Sequence, residues 1–226
     1  MNILEGPGSL SLPEEINTMF NEGPEDVLPE FKVSTGRLRP PEHPGLAKFF
    51  YAFTKHFLFY CPIVSVLEIG VGGGASAVGF TKAMAGGGIM RCIDNNSYKT
   101  VNYPEDCKAN ILATGFNEGN LHMYEGDSKS ILDNNFPPSD LTHIDGDHTY
   151  EGALYDIIMV INIMKLNDER GYIFVHDIDN TREWLIERTK EHPHPVYEAF
   201  MEAAEDYKLP WKILTNIGKH LGVLEI

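Results

Sequence analysis

The chain of 226 residues carries 18 Lys and Arg against 33 Asp and Glu, a formal charge of −15, with 42% hydrophobic and 23% charged residues. That length favours one domain with a real hydrophobic core, and the composition excludes wholesale disorder. So large a negative charge opposes the counterion release behind most nucleic-acid binding and disfavours anionic membrane surfaces, which leaves small molecules as the expected partners.

Residues 1–44 are rich in Pro, Gly and Glu, with turn signals at Gly6-Pro7-Gly8, Gly23-Pro24 and Pro40-Pro41. They read as an irregular arm or lid with at most short helices, ahead of a catalytic domain over 45–226. The N-terminus has no basic n-region followed by an apolar h-region, and no run approaches about 18 uninterrupted apolar residues, so neither secretion nor membrane spanning is expected. Cys61, Cys92 and Cys107 show neither CxxC spacing nor a Cys/His cluster and read as reduced core thiols of a cytoplasmic protein.

From Gly45 to Tyr60 the residues Leu46, Phe49, Phe50, Phe53, Phe57 and Leu58 recur at helical spacing. The aromatic stripe from Phe49 to Phe57 could pair subunits into a homo-oligomer or pack on its own sheet. From Ile63 onward, apolar runs alternate with helical patterns, the signature of βαβ units on a parallel sheet. Strands are predicted over 65–69, 89–93, 121–124, 141–144 and 172–175, with helices over 75–84, 104–114, 128–134 and 150–164. A helical stretch after Thr181 is interrupted by His192-Pro193-His194-Pro195. The chain closes with strands over 212–215 and 221–226, joined so briefly at 216–219 that they must be antiparallel.

The strongest local signal is Val66-Leu67-Glu68-Ile69-Gly70-Val71-Gly72-Gly73-Gly74-Ala75-Ser76, a strand that runs through glycines into a helix. Glycines let the backbone approach a ligand closely, and the helix start offers free N–H groups, so a nucleotide-like cofactor is expected. Gly70, Gly72 and Ala75 also satisfy the G-x-G-x-x-A dinucleotide variant. However, Glu68 at the strand end suits a cationic amino-acid group better than a pyrophosphate. Asp94, ending the next strand, is placed to accept ribose hydroxyls, with a turn role in Asp94-Asn95-Asn96-Ser97 as the alternative. Asp127, in Gly126-Asp127-Ser128, could reach an adenine amino group or simply cap a helix.

This pattern resembles the class I S-adenosylmethionine-dependent methyltransferases over about residues 64–226. The resemblance implies a Rossmann-like three-layer α/β sandwich on a mostly parallel seven-stranded sheet, with a C-terminal antiparallel hairpin. It places S-adenosylmethionine against Glu68, Gly70, Gly72, Gly74, Ser76, Asp94, Asp127, Ser128 and Asp145.

A second constellation follows the fourth parallel strand, His143-Ile144-Asp145-Gly146-Asp147-His148, and its partner follows the fifth, His176-Asp177-Ile178-Asp179. Ligands of open α/β sheets bind at such strand ends. Adjacent parallel strands lie about 4.8 Å apart, so Asp145 and Asp177 could share one cation, and oxygen ligands with one imidazole suit Mg²⁺ or Mn²⁺. The alternative, helix capping, fits Asp147 and Asp179. The pair is similar to the metal-dependent small-molecule O-methyltransferases, more closely the macrolide-sugar O-methyltransferase and cephalosporin-hydroxylase-like subgroup. That resemblance implies Asp145, His176 and Asp177 as metal residues and His148 as general base. Position 176 departs from the subgroup's acidic pair.

The expected reaction is methyl transfer to a hydroxyl of a small molecule. An NAD(P)-dependent oxidoreductase would instead want a Tyr-x-x-x-Lys pair, which does not follow the fourth strand, and a non-catalytic binding module remains an alternative. His143 reads as a core histidine, His192 and His194 as a solvated loop, and Trp184 and Trp211 as core or interface residues. Glu151 and Asp156 read as a helix start and a solvated face, with no role assigned.

Overall fold

The computed structural model describes residues 3–5, 44–61, 64–97, 101–133, 135–178, 192–215, 217 and 220–226. Most of the predicted arm, the helical stretch after Thr181, Asp179 and Trp184 lie outside them. The chain divides into two compact units, Leu12–Asp127 and Ser128–Ile226 with the N-terminal strand. Each is built from the alternating elements expected.

In the first unit, α1 (Pro44–Tyr60) is followed by β2 (Ser65–Ile69), α2 (Ala75–Met84), β3 (Ile89–Asp94), α3 (Glu105–Leu112) and β4 (Leu121–Glu125). The label β1 belongs to Ile3–Glu5 in the second unit. Strands β2, β3 and β4 pair in parallel, with Glu68 beside Cys92 and Asp94 beside Glu125. Val66, Leu67, Met90, Cys92 and Ile93 are all buried, because a parallel strand covered on both faces needs a continuous apolar run. The Tyr103 hydroxyl donates to the Cys92 carbonyl at 2.9 Å and lies 3.1 Å from that of Tyr124, bridging β3 and β4.

The aromatic stripe of α1 packs within this unit. Phe49, Phe50 and Phe53 are buried, and Phe50 stacks on Phe80 of α2 with centroids 4.2 Å apart. The two helices approach so closely that a Cβ at Gly79 would lie 2.3 Å from the Ala47 carbonyl oxygen.

The second unit contains β1 (Ile3–Glu5), α4 (Ser128–Ile131), β5 (Leu141–Ile144), α5 (Tyr150–Leu166), β6 (Tyr172–Val175), α6 (Pro195–Tyr207), β7 (Trp211–Leu214) and β8 (Leu221–Glu225). Its strands run in the order β1-β7-β8-β6-β5. β5 and β6 are parallel, whereas β8 is antiparallel to both β6 and β7. The seven expected strands therefore form, with the antiparallel hairpin in place. Gly222 in β8 gives room to Ile178 and Phe200, whose side chains would lie 2.2 and 2.6 Å from a Cβ there. Trp211, half-buried, packs edge-on against Phe200.

Three expectations are corrected. Residues 3–5 are not irregular: they form a strand antiparallel to β7, pairing Ile3 with Leu214 and Glu5 with Lys212. Helix α4 ends at Ile131 rather than 134, where Asp133 begins a turn by accepting from the Asn135 amide at 3.0 Å or less. Asp156 is not on a solvated face, being 1% exposed, because it falls at core spacing with Ala153, Ile157 and Val160 on α5.

Replacing a helix-interior glycine with alanine ordinarily stabilises by about 1 kcal/mol. At Gly79 the opposite is expected, since the new methyl meets fixed backbone of α1. Gly79→Ala should destabilise by roughly 1–3 kcal/mol in denaturant unfolding.

Candidate active site

The glycine turn begins where β2 ends. Glu68 is fully buried and accepts a hydrogen bond from the Ser76 hydroxyl in the first turn of α2. Between them, Gly72 (φ 53°) and Gly74 (φ 84°) adopt left-handed backbone that side chains resist. At Gly74 a Cβ would also meet the Cys107 sulfur at 3.0 Å. The turn is pinned from two sides: the Gly72 amide donates to Asp94 Oδ2 at 2.7 Å, and Asn110 Nδ2 donates to the Gly73 carbonyl at 3.0 Å.

Asp94 takes the turn role considered for it and adds a second structural one. Its Oδ1 accepts from the Asn96 amide at 2.7 Å, which makes it a turn residue, while Oδ2 anchors the glycine turn. It stands at the carboxyl end of β3. Gly126 closes β4 by donating its amide to the Asp94 carbonyl at 2.9 Å, and Asp127 follows, exposed. Ser128 opens α4 and donates to Asp156 Oδ1 at 2.6 Å.

The second constellation draws four side chains of the second unit together. His148 Nε2 lies 3.1 Å from Asp145 Oδ1 and 3.6 Å from Asp177 Oδ2. His176 Nδ1 lies 3.3 Å from Asp145 Oδ1 and 3.2 Å from Asp177 Oδ1. The two carboxylates thus sit between two imidazoles. His176 and Asp177 are buried at 3% and 4% side-chain exposure, whereas His148 is 24% exposed and Asp145 29%. Burial pushes the Asp145 carboxyl up, but His176 and then His148 outweigh it and hold the carboxyl well below the usual carboxylate range.

Local sequence explains this convergence. Thr149 caps α5, its Oγ1 accepting from the Gly152 amide at 3.1 Å, so Tyr150 starts a helix two residues after His148. Asp147 accepts from the Thr149 amide at 3.0 Å in the turn before the helix, so the cap expected of Asp147 is supplied by Thr149 instead. Gly152 admits Asp147, whose carboxyl carbon would lie 2.3 Å from a Cβ. Asp177 is left-handed at φ 55°, an uncommon conformation for a residue with a side chain. Such strain persists where the surroundings fix it, and functional sites are where it concentrates.

His143 is a buried core histidine edge-on to His176, as expected. His192 is corrected: it is not a solvated loop residue but stacks on Tyr150 at 3.7 Å and pairs with Glu198 at 2.6 Å. The Tyr150 hydroxyl donates to Glu202, which pushes its pKa up to about 12. Only a stack between elements distant in sequence reveals this network, so the sequence carried no signal of it.

Asp145, His148 and Asp177 each offer a ligand atom, all within 4.8 Å of one another. Two ligands about 2.1 Å from one cation stand at most about 4.2 Å apart, so the cluster has the size of a cation site after a small closure. Its two carboxylates match a hard divalent ion. Among the described residues, no helix is long and apolar enough to cross a membrane, and the three cysteines are free.

Residues 67–178 match the protein family described as a methyltransferase domain. No curated protein matches the sequence closely enough to count as a relative. Among solved structures, the fold is similar to cofactor-bound Rv0187 from MTB, with 17% identity and a TM-score of 0.62 over 92% of this chain and 86% of that one. It is also similar to the O-methyltransferase TomG from Streptomyces achromogenes in complex with SAM, at 14% identity, TM-score 0.57, and 96% and 91% coverage. An O-methyltransferase from Bacillus cereus in complex with SAH matches at 17% identity, TM-score 0.55, and 95% and 92% coverage. At these identities the likeness establishes the fold, which is Rossmann-like with antiparallel C-terminal strands.

Cys92 and Cys107 are fully buried beneath the glycine turn, and burial pushes the Cys92 thiol up, reinforced by Cys107 and Glu68. A neutral, enclosed thiol is a poor nucleophile. Iodoacetamide at neutral pH should therefore label Cys61 in the native protein and reach Cys92 and Cys107 only on unfolding, as read by peptide mass spectrometry.

Proposed function

We propose that the chain, whose residues 67–178 match a methyltransferase domain, moves the methyl group of S-adenosylmethionine to a hydroxyl of a small molecule, of sugar or secondary-metabolite type, assisted by a divalent cation such as Mg²⁺ or Mn²⁺. The observation that carries this reading is the convergence of Asp145, His148 and Asp177 at the carboxyl ends of β5 and β6. The family match favours it over an oxidoreductase, and the net charge of −15 favours a small acceptor over nucleic acid.

Bound S-adenosylmethionine supplies an electrophilic sulfonium methyl. Glu68 and the turn of Gly70, Gly72 and Gly74, with Ser76, would face its amino-acid portion, and Asp94 its ribose. Asp127 and Ser128 would face its adenine. Asp145 and Asp177, with His176 beside them, would hold a cation whose chemistry is to lower the pKa of an acceptor hydroxyl. Asp145 would also border the cofactor. His148 is the imidazole that an acceptor can reach, since His176 is buried. With Nε2 turned to the two carboxylates, which orient the ring, Nδ1 is the nitrogen that would take the hydroxyl proton. Neutralising opposite charges in the transfer asks little of an enzyme beyond orientation, so binding geometry supplies the larger share of rate. Free thiols suit a reducing, cytoplasmic setting.

Calorimetric titration with S-adenosylmethionine and with NAD⁺, each with and without Mg²⁺, tests the cofactor. Binding of S-adenosylmethionine alone is expected, and binding of NAD⁺ alone would sink the reading. Asp94→Ala should weaken S-adenosylmethionine binding by about tenfold, the scale of a lost hydrogen bond to a charged group. With an acceptor in hand, His148→Ala should lower turnover by roughly 10²–10⁴-fold while leaving cofactor affinity almost unchanged. An equal loss of affinity would instead make His148 a binding residue.

A further inference from the structure

Asp156 is a carboxylate in an apolar stripe. It falls in line with Ala153, Ile157, Val160 and Met164 on the buried face of α5 and is 1% exposed. An ionised carboxylate there costs free energy that leucine would not, so its presence calls for a specific partner. The Ser128 hydroxyl provides one, donating to Asp156 Oδ1 at 2.6 Å. Tyr155 grips the same short helix: its hydroxyl reaches the Lys129 carbonyl at 3.5 Å, and the Lys129 ammonium lies 5.7 Å from its ring centroid. Two successive residues of α5 thus clasp the first two residues of α4. Ser128 directly follows Gly126-Asp127, the turn whose backbone is tied to Asp94.

We infer that Asp156 is a positioning residue for the cofactor: it fixes Ser128, one of the residues proposed to face the adenine portion of an adenosine cofactor. The inference rests on the S-adenosylmethionine reading above and goes beyond it by giving α5 two duties. The helix start follows His148 directly, and its second turn holds Ser128. A residue that only filled space would be replaced by an apolar side chain without penalty to binding.

The experiment is calorimetric titration of S-adenosylmethionine into the full chain and its Ser128→Ala, Asp156→Ala, Asp156→Asn and Ser128→Ala/Asp156→Ala variants, with thermal melting alongside. Ser128→Ala changes a half-buried hydroxyl at a helix start and keeps the test meaningful even if Asp156→Ala fails to fold. Expected are about tenfold weaker binding for Ser128→Ala and Asp156→Ala, recovery to within about twofold for Asp156→Asn, which keeps the Oδ1 acceptor, and no further loss in the double variant. Wild-type affinity in Ser128→Ala, or losses that multiply in the double variant, would overturn the inference. Failure of the unmodified chain to bind S-adenosylmethionine would instead overturn the cofactor reading itself.

Discussion

The hydrogen bond from the Gly72 amide to Asp94 sets the terms for the first unit. It ties the turn after β2 to the end of β3 at 2.7 Å, and both partners are constrained by it. Gly72 must take a left-handed backbone to aim its N–H at the carboxylate, and Asp94 must end its strand where the turn can meet it. The same carboxylate accepts from Asn96, so the chain leaving β3 is bent by the group that anchors the chain leaving β2. A turn held in this way is shaped before any ligand arrives, which lowers the cost of ordering it on binding.

The second unit solves a different problem, that of keeping two carboxylates beside each other. Asp145 and Asp177 would repel at close range, yet each has two imidazole contacts below 4 Å. The ring of alternating acids and histidines spreads the charge. One histidine is sealed in and the other opens to solvent, so a near-symmetric arrangement acquires an accessible side and a buried side. The strained backbone of Asp177 belongs to the same solution, because a relaxed conformation would point its carboxyl elsewhere.

Much of this was legible in the sequence for a simple reason. Strands covered on both faces must be short apolar runs, and Ser65–Ile69, Leu141–Ile144 and Tyr172–Val175 appear in the structure with the bounds their composition predicts. The candidate site residues could be named because α/β sheets present chemistry at strand ends, and Glu68, Asp94, Asp145 and Asp177 do all lie at or next to such ends. What escaped depends on distant partners. Ile3–Glu5 is three residues long and becomes a strand only because β7 lies beside it, some two hundred positions later. Asp156 shows a different failure: its spacing announced the core, but its residue type argued for water, and the hydroxyl that reconciles the two comes from another helix. His192 is defined by a stack on Tyr150 that no local pattern contains.

The pairing of β1 with β7 also has a bearing on how the protein is made. Positions 3–5 leave the ribosome about two hundred residues before their partners Lys212, Ile213 and Leu214, so the nascent chain carries an unmatched strand while everything between them is made. Closing so long a loop is slow, since the entropy must be lost before the contact rewards it. Until then the outer edge of β7 offers unpaired backbone groups to any extended segment nearby, and the N-terminal strand is what finally occupies it. Three residues thereby act as the cover of an otherwise adhesive edge.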